Sequence, residues 1–331
     1  MPPTTPKISV IVPAYDVERY IEAALDSLLT QSQPFHEIIV INDGSRDKTG
    51  DLLAQYAHCQ SVSVVTTVNR GLGRTRNDGI DRATGDFLYF FDADDLLSPN
   101  FVEAMTAEIA GHPGVDLIFF SGQVFYDQDF DAKHYQQVDD NEFQRGMNCI
   151  FACGLDAVGA MRQTGRFTPS ACLYVSRRAL WGSTLRFLPI LHEDNDVVMR
   201  LSRVAKLTSV VNVSLFMRRL RNGSTVTSAP SRKNVDGYLA AFHSTMDVYR
   251  TLEAAPHRIT VRRQLHDLVW LYLHTCSRAG LSPQWRALAL FLRHGHVRPI
   301  TEFWRLFLPR RVHARLKSAK GWLRTMRVSR K

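Results

Sequence analysis

The first part of the chain alternates short apolar runs with helix-period stretches, and no other feature restricts the fold as much. Ile8-Ser-Val-Ile-Val12, Ile38-Ile-Val-Ile41, Val62–Val65 and Phe87-Leu-Tyr-Phe-Phe91 read as strands buried on both faces. Between the first two, Ile21, Ala24, Leu25, Leu28 and Leu29 recur at helical spacing; Leu52, Leu53 and Tyr56 mark a second helix, and Gly71–Ala83 a loop and a third. Strands this apolar need cover on both sides, and intervening helices supply it. The expected class is α/β, a Rossmann-like, doubly wound and mainly parallel sheet.

In such sheets ligands gather at the carboxyl ends of the strands, so the residues there carry the chemistry. Pro13-Ala-Tyr15 follows the first strand, Asn42-Asp43-Gly44-Ser45 the second, and Asp92-Ala-Asp94-Asp95 the fourth. Tyr15 can stack on a base and Asp43 can accept a ring N–H, although Asp43-Gly44-Ser45 also reads as a plain turn with a helix cap. The carboxylates suit a hard divalent cation, Mn²⁺ or Mg²⁺, holding a diphosphate. The competing reading is a capped turn, with Asp95 near a helix announced by Ser98-Pro99.

Taken in order, Ile8-Ser-Val-Ile-Val-Pro-Ala-Tyr15, Ile39-Val-Ile-Asn-Asp-Gly-Ser45, Asn69-Arg-Gly-Leu-Gly-Arg-Thr-Arg-Asn-Asp-Gly-Ile80 and Gly85-Asp-Phe-Leu-Tyr-Phe-Phe-Asp-Ala-Asp-Asp95 resemble the nucleotide-binding half of glycosyltransferase family 2. These are inverting enzymes of the GT-A fold. The resemblance implies a nucleotide diphosphate sugar donor, UDP-linked, with Pro13, Tyr15 and Asp43 at the nucleotide and Arg76 near the base or diphosphate. It implies that Asp92-Ala-Asp94 is the DxD motif, Asp94 the leading metal ligand and Asp92 the second, with Asp92 or Asp95 touching ribose or a metal-bound water. Asn42 and Asp16 depart from the family's usual Asp and Asn.

Further along, Leu185-Arg-Phe187, a short loop and Glu193-Asp194 at a helix start resemble the family's catalytic-base segment, which makes Asp194 the general base and Glu193 its neighbour in positioning. The alternative is that Asp194 and Asp196 only complement a helix dipole. His192 is a candidate third metal ligand without supporting spacing. Arg218-Arg-Leu-Arg-Asn-Gly-Ser-Thr225 resembles the end of the family domain, and could clamp a diphosphate or form a solvated turn. The acceptor implied is a hydroxyl of a surface glycan or lipid-linked precursor. A nucleotidyltransferase on a related sheet is disfavoured because no Gly-rich loop follows the first strand, and a non-catalytic glycan-binding scaffold would need none of Asp92, Asp94 and Asp194. The processive QxxRW signature is absent.

The expected division is 1–228 for the GT-A domain (1–125 nucleotide-sugar half, 126–228 acceptor half) and 229–331 for a helical, basic appendage. Val235, Leu239, Phe242 and Met246 mark one of its helices; Leu265, Leu268, Val269, Tyr272 and Leu273 mark the next. The net charge of +9 is uneven: thirteen Lys or Arg against Glu302 give residues 286–331 a charge of +12 and leave −3 for the rest. Those cations interleave with Trp285, Phe291, Phe303, Trp304, Phe307 and Trp322, a pattern suited to an anionic membrane surface, ahead of a structural or oligomer contact, with nucleic acid third. No apolar stretch is long enough to span a bilayer. Without a signal-peptide pattern the expected setting is cytoplasmic, peripheral at the membrane face. Five cysteines form no paired CxxC sets; Cys149 and Cys153 could share a helix face, but lack a second ligand pair for zinc.

Overall fold

The computed structural model describes residues 5–130, 142–224, 227–296 and 299–301. The first half runs β1 (Ile8–Ala14), α1 (Ile21–Leu29), β2 (Glu37–Asn42), α2 (Thr49–Ala54), β3 (Val62–Thr66), α3 (Leu72–Arg82), β4 (Phe87–Phe90), β5 (Leu96–Leu97), α4 (Phe101–Gly111) and β6 (Val115–Tyr126). The second half adds β7 (Cys149–Phe151), α5 (Gly154–Gln163), β8 (Tyr174–Arg177), α6 (Asp194–Val204), β9 (Leu207–Leu220), α7 (Arg232–Arg250), α8 (Ala255–Arg278) and α9 (Trp285–Arg293). Among the described residues the strands form one sheet in the order β3-β2-β1-β4-β8-β6-β9-β5, with β7 also on β9. Neighbours from β3 to β4 are parallel, as are β6 and β9, whereas β8 lies antiparallel between β4 and β6.

Strand periodicity divides the core. Val10, Val12, Ile38, Val40, Phe87 and Tyr89 point to one face, against Leu25 and Leu28 of α1 and Phe101 and Met105 of α4. Ile11, Ile39, Ile41, Leu88 and Phe90 point to the other, in a cluster continuous with Val197 of α6, Phe242 of α7 and Leu268 of α8. The two C-terminal helices therefore share a core with the sheet. Their expected apolar stripes are buried, apart from the partly buried Leu239.

Two local expectations change, and the apolar runs after α4 join into one element. Asp116–Phe120 and Gln123–Phe125 belong to one strand, β6, because the chain stays paired with β9 through register shifts near Ser121. The helix after the carboxylates begins at Phe101 behind Asn100, and Asp95 instead accepts the backbone N–H of Arg219 at 2.7 Å, so it caps nothing. Cys149 lies in β7 and Cys153 precedes α5, so they share no helix face.

One packing detail aims the site. A Cβ at Gly73 would stand 2.2 Å from the Leu188 carbonyl oxygen, and next to it Asn77 bonds both backbone groups of Phe187 at 2.9 Å. Helix α3 thus holds the segment leading to Glu193 and Asp194. Gly73→Ala forces that backbone outward and is expected to lose about 1–3 kcal/mol of stability in urea unfolding. A wild-type midpoint and slope would contradict the close contact.

Candidate active site

Parallel pairing puts the ends of β1, β2 and β4 at one sheet edge, where Tyr15, Asp43 and Asp92–Asp95 line a cavity of 370 Å³ with Pro13. Tyr15 is 39% exposed, so its ring is free at the mouth. Asp43 is buried and accepts the backbone N–H groups of Arg70 and Gly71, each at 2.8 Å. It therefore latches the loop ahead of α3 and still has lone pairs for a ligand donor. Asn42, the departure from the family pattern, holds the turn by accepting from Ser45 N–H at 3.1 Å.

Arg76 lines the same cavity. Its side chain is only 1% exposed, and its fork reaches Asp92 at 2.8 Å, Glu193 at 2.6 Å and Asp194 at 2.9 Å, with the Phe187 ring beneath. Those donors are committed to protein carboxylates rather than held out towards a base or diphosphate. Burial works against its charge, but the carboxylates outweigh it and hold the guanidinium protonated. One cation facing three carboxylates leaves excess negative charge. Burial, with Asp194 adding, pushes Glu193 up to about 8. Burial also raises Asp194 above the usual carboxylate range, with Arg76 opposing.

The other carboxylates meet the end of β9. Asp94 Oδ2 accepts from Arg221 Nε at 2.7 Å, and its main-chain carbonyl accepts from Arg219 Nε at 2.8 Å. Ser224 lines the same cavity, while Thr225 lies outside the described residues. The Arg218–Ser224 segment is thus joined to Asp94 and Asp95 and is no free turn. Burial, with Asp94 and Asp92 adding, pushes Asp95 well up. Potential donor atoms of Asp92, Asp95 and Cys172 fall within 4.8 Å of one another. Burial keeps the Cys172 thiol protonated, which leaves the oxygens as the donors a hard cation would use.

A second cavity of 430 Å³ adjoins the first, lined by Thr168, Ser170, Asn234, Tyr238 and Arg278. Asp92, Asp95, His192, Asp194 and Arg218 border both cavities, whereas Glu193 borders only the first. His192, at φ +65°, stacks on Tyr238 with centroids 4.1 Å apart, and its Nε2 lies 3.2 Å from Asn234 Nδ2. Burial lowers its pKa to about 4. It does not fall in the carboxylate group. The wall supplied by Asn234 and Tyr238 of α7 and Arg278 of α8 is not marked in the sequence, where those residues look like ordinary positions on amphipathic helices.

The open mixed sheet, with acidic and aromatic residues at the carboxyl ends of its parallel strands, is that of a GT-A glycosyltransferase. Residues 9–164 match the family described as Glycosyl transferase family 2. Over that span, 156 of the 331 residues, the chain is similar to glycosyltransferase family 2. It is 29% identical over 226 residues to Glycosyltransferase GlyA of Streptococcus pneumoniae, covering 66% of this chain and 31% of that protein. The chain spans about a third of the length of the curated relatives it matches. The fold is similar to S. aureus TarS 1–349 in complex with UDP-GlcNAc, with a TM-score of 0.60 and 19% identity over 82% of this chain and 84% of that one. The mannosyltransferase PcManGT of Pyrobaculum calidifontis, in complex with GDP-Man and Mn²⁺, gives a TM-score of 0.53 and 17% identity over 92% and 84%.

Proposed function

We propose that the protein is an inverting glycosyltransferase that moves a sugar from a UDP-linked donor to a hydroxyl of a glycan or lipid-linked acceptor, with Asp194 as general base. The observation that carries this reading is the place of Asp194 on the border of both cavities. One cavity offers Tyr15 and Asp43 for a base, and the other offers an aromatic pair and amide and hydroxyl groups suited to a sugar. An acceptor hydroxyl in the second cavity gives its proton to Asp194 as its oxygen attacks the anomeric carbon opposite the leaving diphosphate. Glu193 is the weaker candidate for base, because it does not border the acceptor side. It positions Arg76 and Asp194.

A divalent cation fits the donor set, since Asp95 is buried beside two further carboxylates without enough positive charge to ionise it easily. Asp92, Asp94 and Asp95 would hold Mn²⁺ or Mg²⁺, which when bound would neutralise charge on the departing diphosphate. The UDP assignment draws support from the ligand in TarS, and the cation from Mn²⁺ in PcManGT. A peripheral membrane setting rests on the basic composition of residues 286–331. Trp285, just before that segment, is exposed, and Phe291 within it is buried in the core; Phe303, Trp304, Phe307 and Trp322 lie outside the described residues. No helix among the described residues is long and apolar enough to cross a membrane.

Titration of UDP into the protein in Mn²⁺ by calorimetry tests the donor assignment. Asp43→Ala is expected to weaken UDP by about 10- to 100-fold, the value of a hydrogen bond to a charged group. Failure of UDP to bind, or donor turnover unaffected by chelator, would overturn the donor and cation assignments respectively.

A further inference from the structure

Away from the cavities, Cys153, Asp156 and His257 converge on one point. Cys153 precedes α5, Asp156 lies in its first turn, and His257 lies in the first turn of α8. The Cys153 thiol donates to Asp156 Oδ2 at 3.3 Å; Sγ lies 3.4 Å from His257 Nε2, which lies 3.1 Å from Asp156 Oδ1. All three are partly accessible, so an ion can enter.

We infer that Cys153, Asp156 and His257 form a zinc site that pins helix α8 to helix α5. Thiolate, imidazole and carboxylate together suit Zn²⁺ and poorly suit Mg²⁺ or Mn²⁺, which seek oxygen. With bonds of about 2.3 Å to sulfur and about 2.0–2.1 Å to nitrogen and oxygen, a tetrahedral zinc spaces its ligand atoms about 3.3–3.6 Å apart. Sγ and Nε2 are 3.4 Å apart, and Asp156 presents Oδ2 to the sulfur at 3.3 Å and Oδ1 to the imidazole at 3.1 Å; with one oxygen taken from Asp156 the three ligand atoms lie within 4.8 Å of one another, and a turn of the carboxylate closes them into one face of that tetrahedron. Water fills the fourth position.

Two alternatives fit less well. A nucleophilic Cys-His-Asp relay needs the carboxylate on the imidazole nitrogen opposite the sulfur. Here Cys153 and Asp156 both approach Nε2. A purely structural hydrogen-bond cluster accounts for the distances but not for a partly exposed thiol, carboxylate and imidazole all pointing inward to one place. Charge also favours the ion: Zn²⁺ with one thiolate and one carboxylate is neutral, and both anions lie at the positive end of α5. Burial raises the Cys153 thiol, so binding expels its proton to solvent and weakens as pH falls.

The site lies where α5 and α8 already press together. A Cβ at Gly159 would stand 2.8 Å from Thr260 Oγ1, and Arg162 bonds Asp267 at 2.5 Å. Because α5 closes the family-matched span 9–164, zinc would tether the C-terminal helices to it. This inference does not depend on the transfer reaction.

The test uses the full chain without an affinity tag, stripped with chelator and titrated with Zn²⁺ against a chromogenic competitor, then with Co²⁺. One equivalent of tightly held zinc is expected, with a thiolate-to-cobalt charge-transfer band and a higher Tm. Losing a second-sphere partner costs a zinc site about 10- to 100-fold, so Cys153→Ser or His257→Ala should exceed about 100-fold and abolish the band. Cys149→Ser should bind as wild type. Absence of both zinc uptake and the cobalt band from the wild-type chain would overturn the site, whatever the variants do; so would equal loss in Cys149→Ser and Cys153→Ser.

Discussion

Asp194→Asn is expected to lower the rate of sugar transfer by about 10²- to 10⁴-fold, the usual contribution of a positioned base, while leaving UDP affinity within a few-fold of wild type. The amide keeps the shape of the side chain and can still accept from Arg76, so the fold should survive. It cannot take a proton. The pH profile offers a second reading of the same residue. Burial raises the Asp194 pKa, and a base works only when ionised, so wild-type kcat should fall as pH drops through a value above the ordinary carboxylate range of about 4. In Asp194→Asn that acid limb should vanish from the residual rate. Wild-type kcat in the variant, or an unchanged acid limb, would move the base elsewhere.

Arg76→Met should cost about 3 kcal/mol of stability at neutral pH, measured by urea unfolding. The apolar chain fills similar space but leaves Asp92, Glu193 and Asp194 without the cation that bridges them. The lower end of the usual range is chosen because the Asp92 side chain is 38% exposed and partly screened by water. The sign of the pH dependence follows from protonation. In the variant the carboxyl pKa values rise further, above their unfolded values, so the penalty is present at neutral pH, where folding opposes ionisation. It is relieved as pH falls below those raised values and the groups become neutral. A loss below about 1 kcal/mol, or one that does not shrink on acidification, would mean that Arg76 is not the charge holding the cluster together. Arg76→Lys keeps the charge but loses the two-pronged reach to Asp92 on one side and Glu193 and Asp194 on the other, and should fall between the two.

Much of the α/β architecture could be read directly. Ile8–Val12 is apolar at every position but Ser9, and such a run is stable only inside a sheet covered on both faces; once four such runs alternate with helices, the parallel order and the shared edge follow. Tyr15, Asp43 and Asp92 were legible as a group for that reason, since each follows its strand directly. The antiparallel insertion of β8 between β4 and β6 was not legible, because a four-residue strand carries too little pattern to choose its neighbours.

The limits were sharper for charge. A run of three carboxylates in four positions signals the need for positive partners, but not which cations supply them. The structure pairs Arg221 with Asp94 and Arg76 with Asp92, across 127 and 16 residues of sequence. It also buries the Arg76 side chain among three carboxylates in the wall of the same cavity. Likewise Cys153 carried no metal signal because its companion His257 is 104 residues away.

The sequence by itself determined the parallel sheet, its ligand-bearing edge and the identity of the acids there, because strand periodicity and burial are local properties that each segment carries alone. Tertiary structure alone decided how those acids are paired, which of them borders the second cavity, and that α7 and α8 build part of that cavity's wall. The physical reason is that pairing and burial of charge depend on distances between segments far apart in the chain, and a few ångströms decide whether an arginine faces solvent, a substrate or three carboxylates.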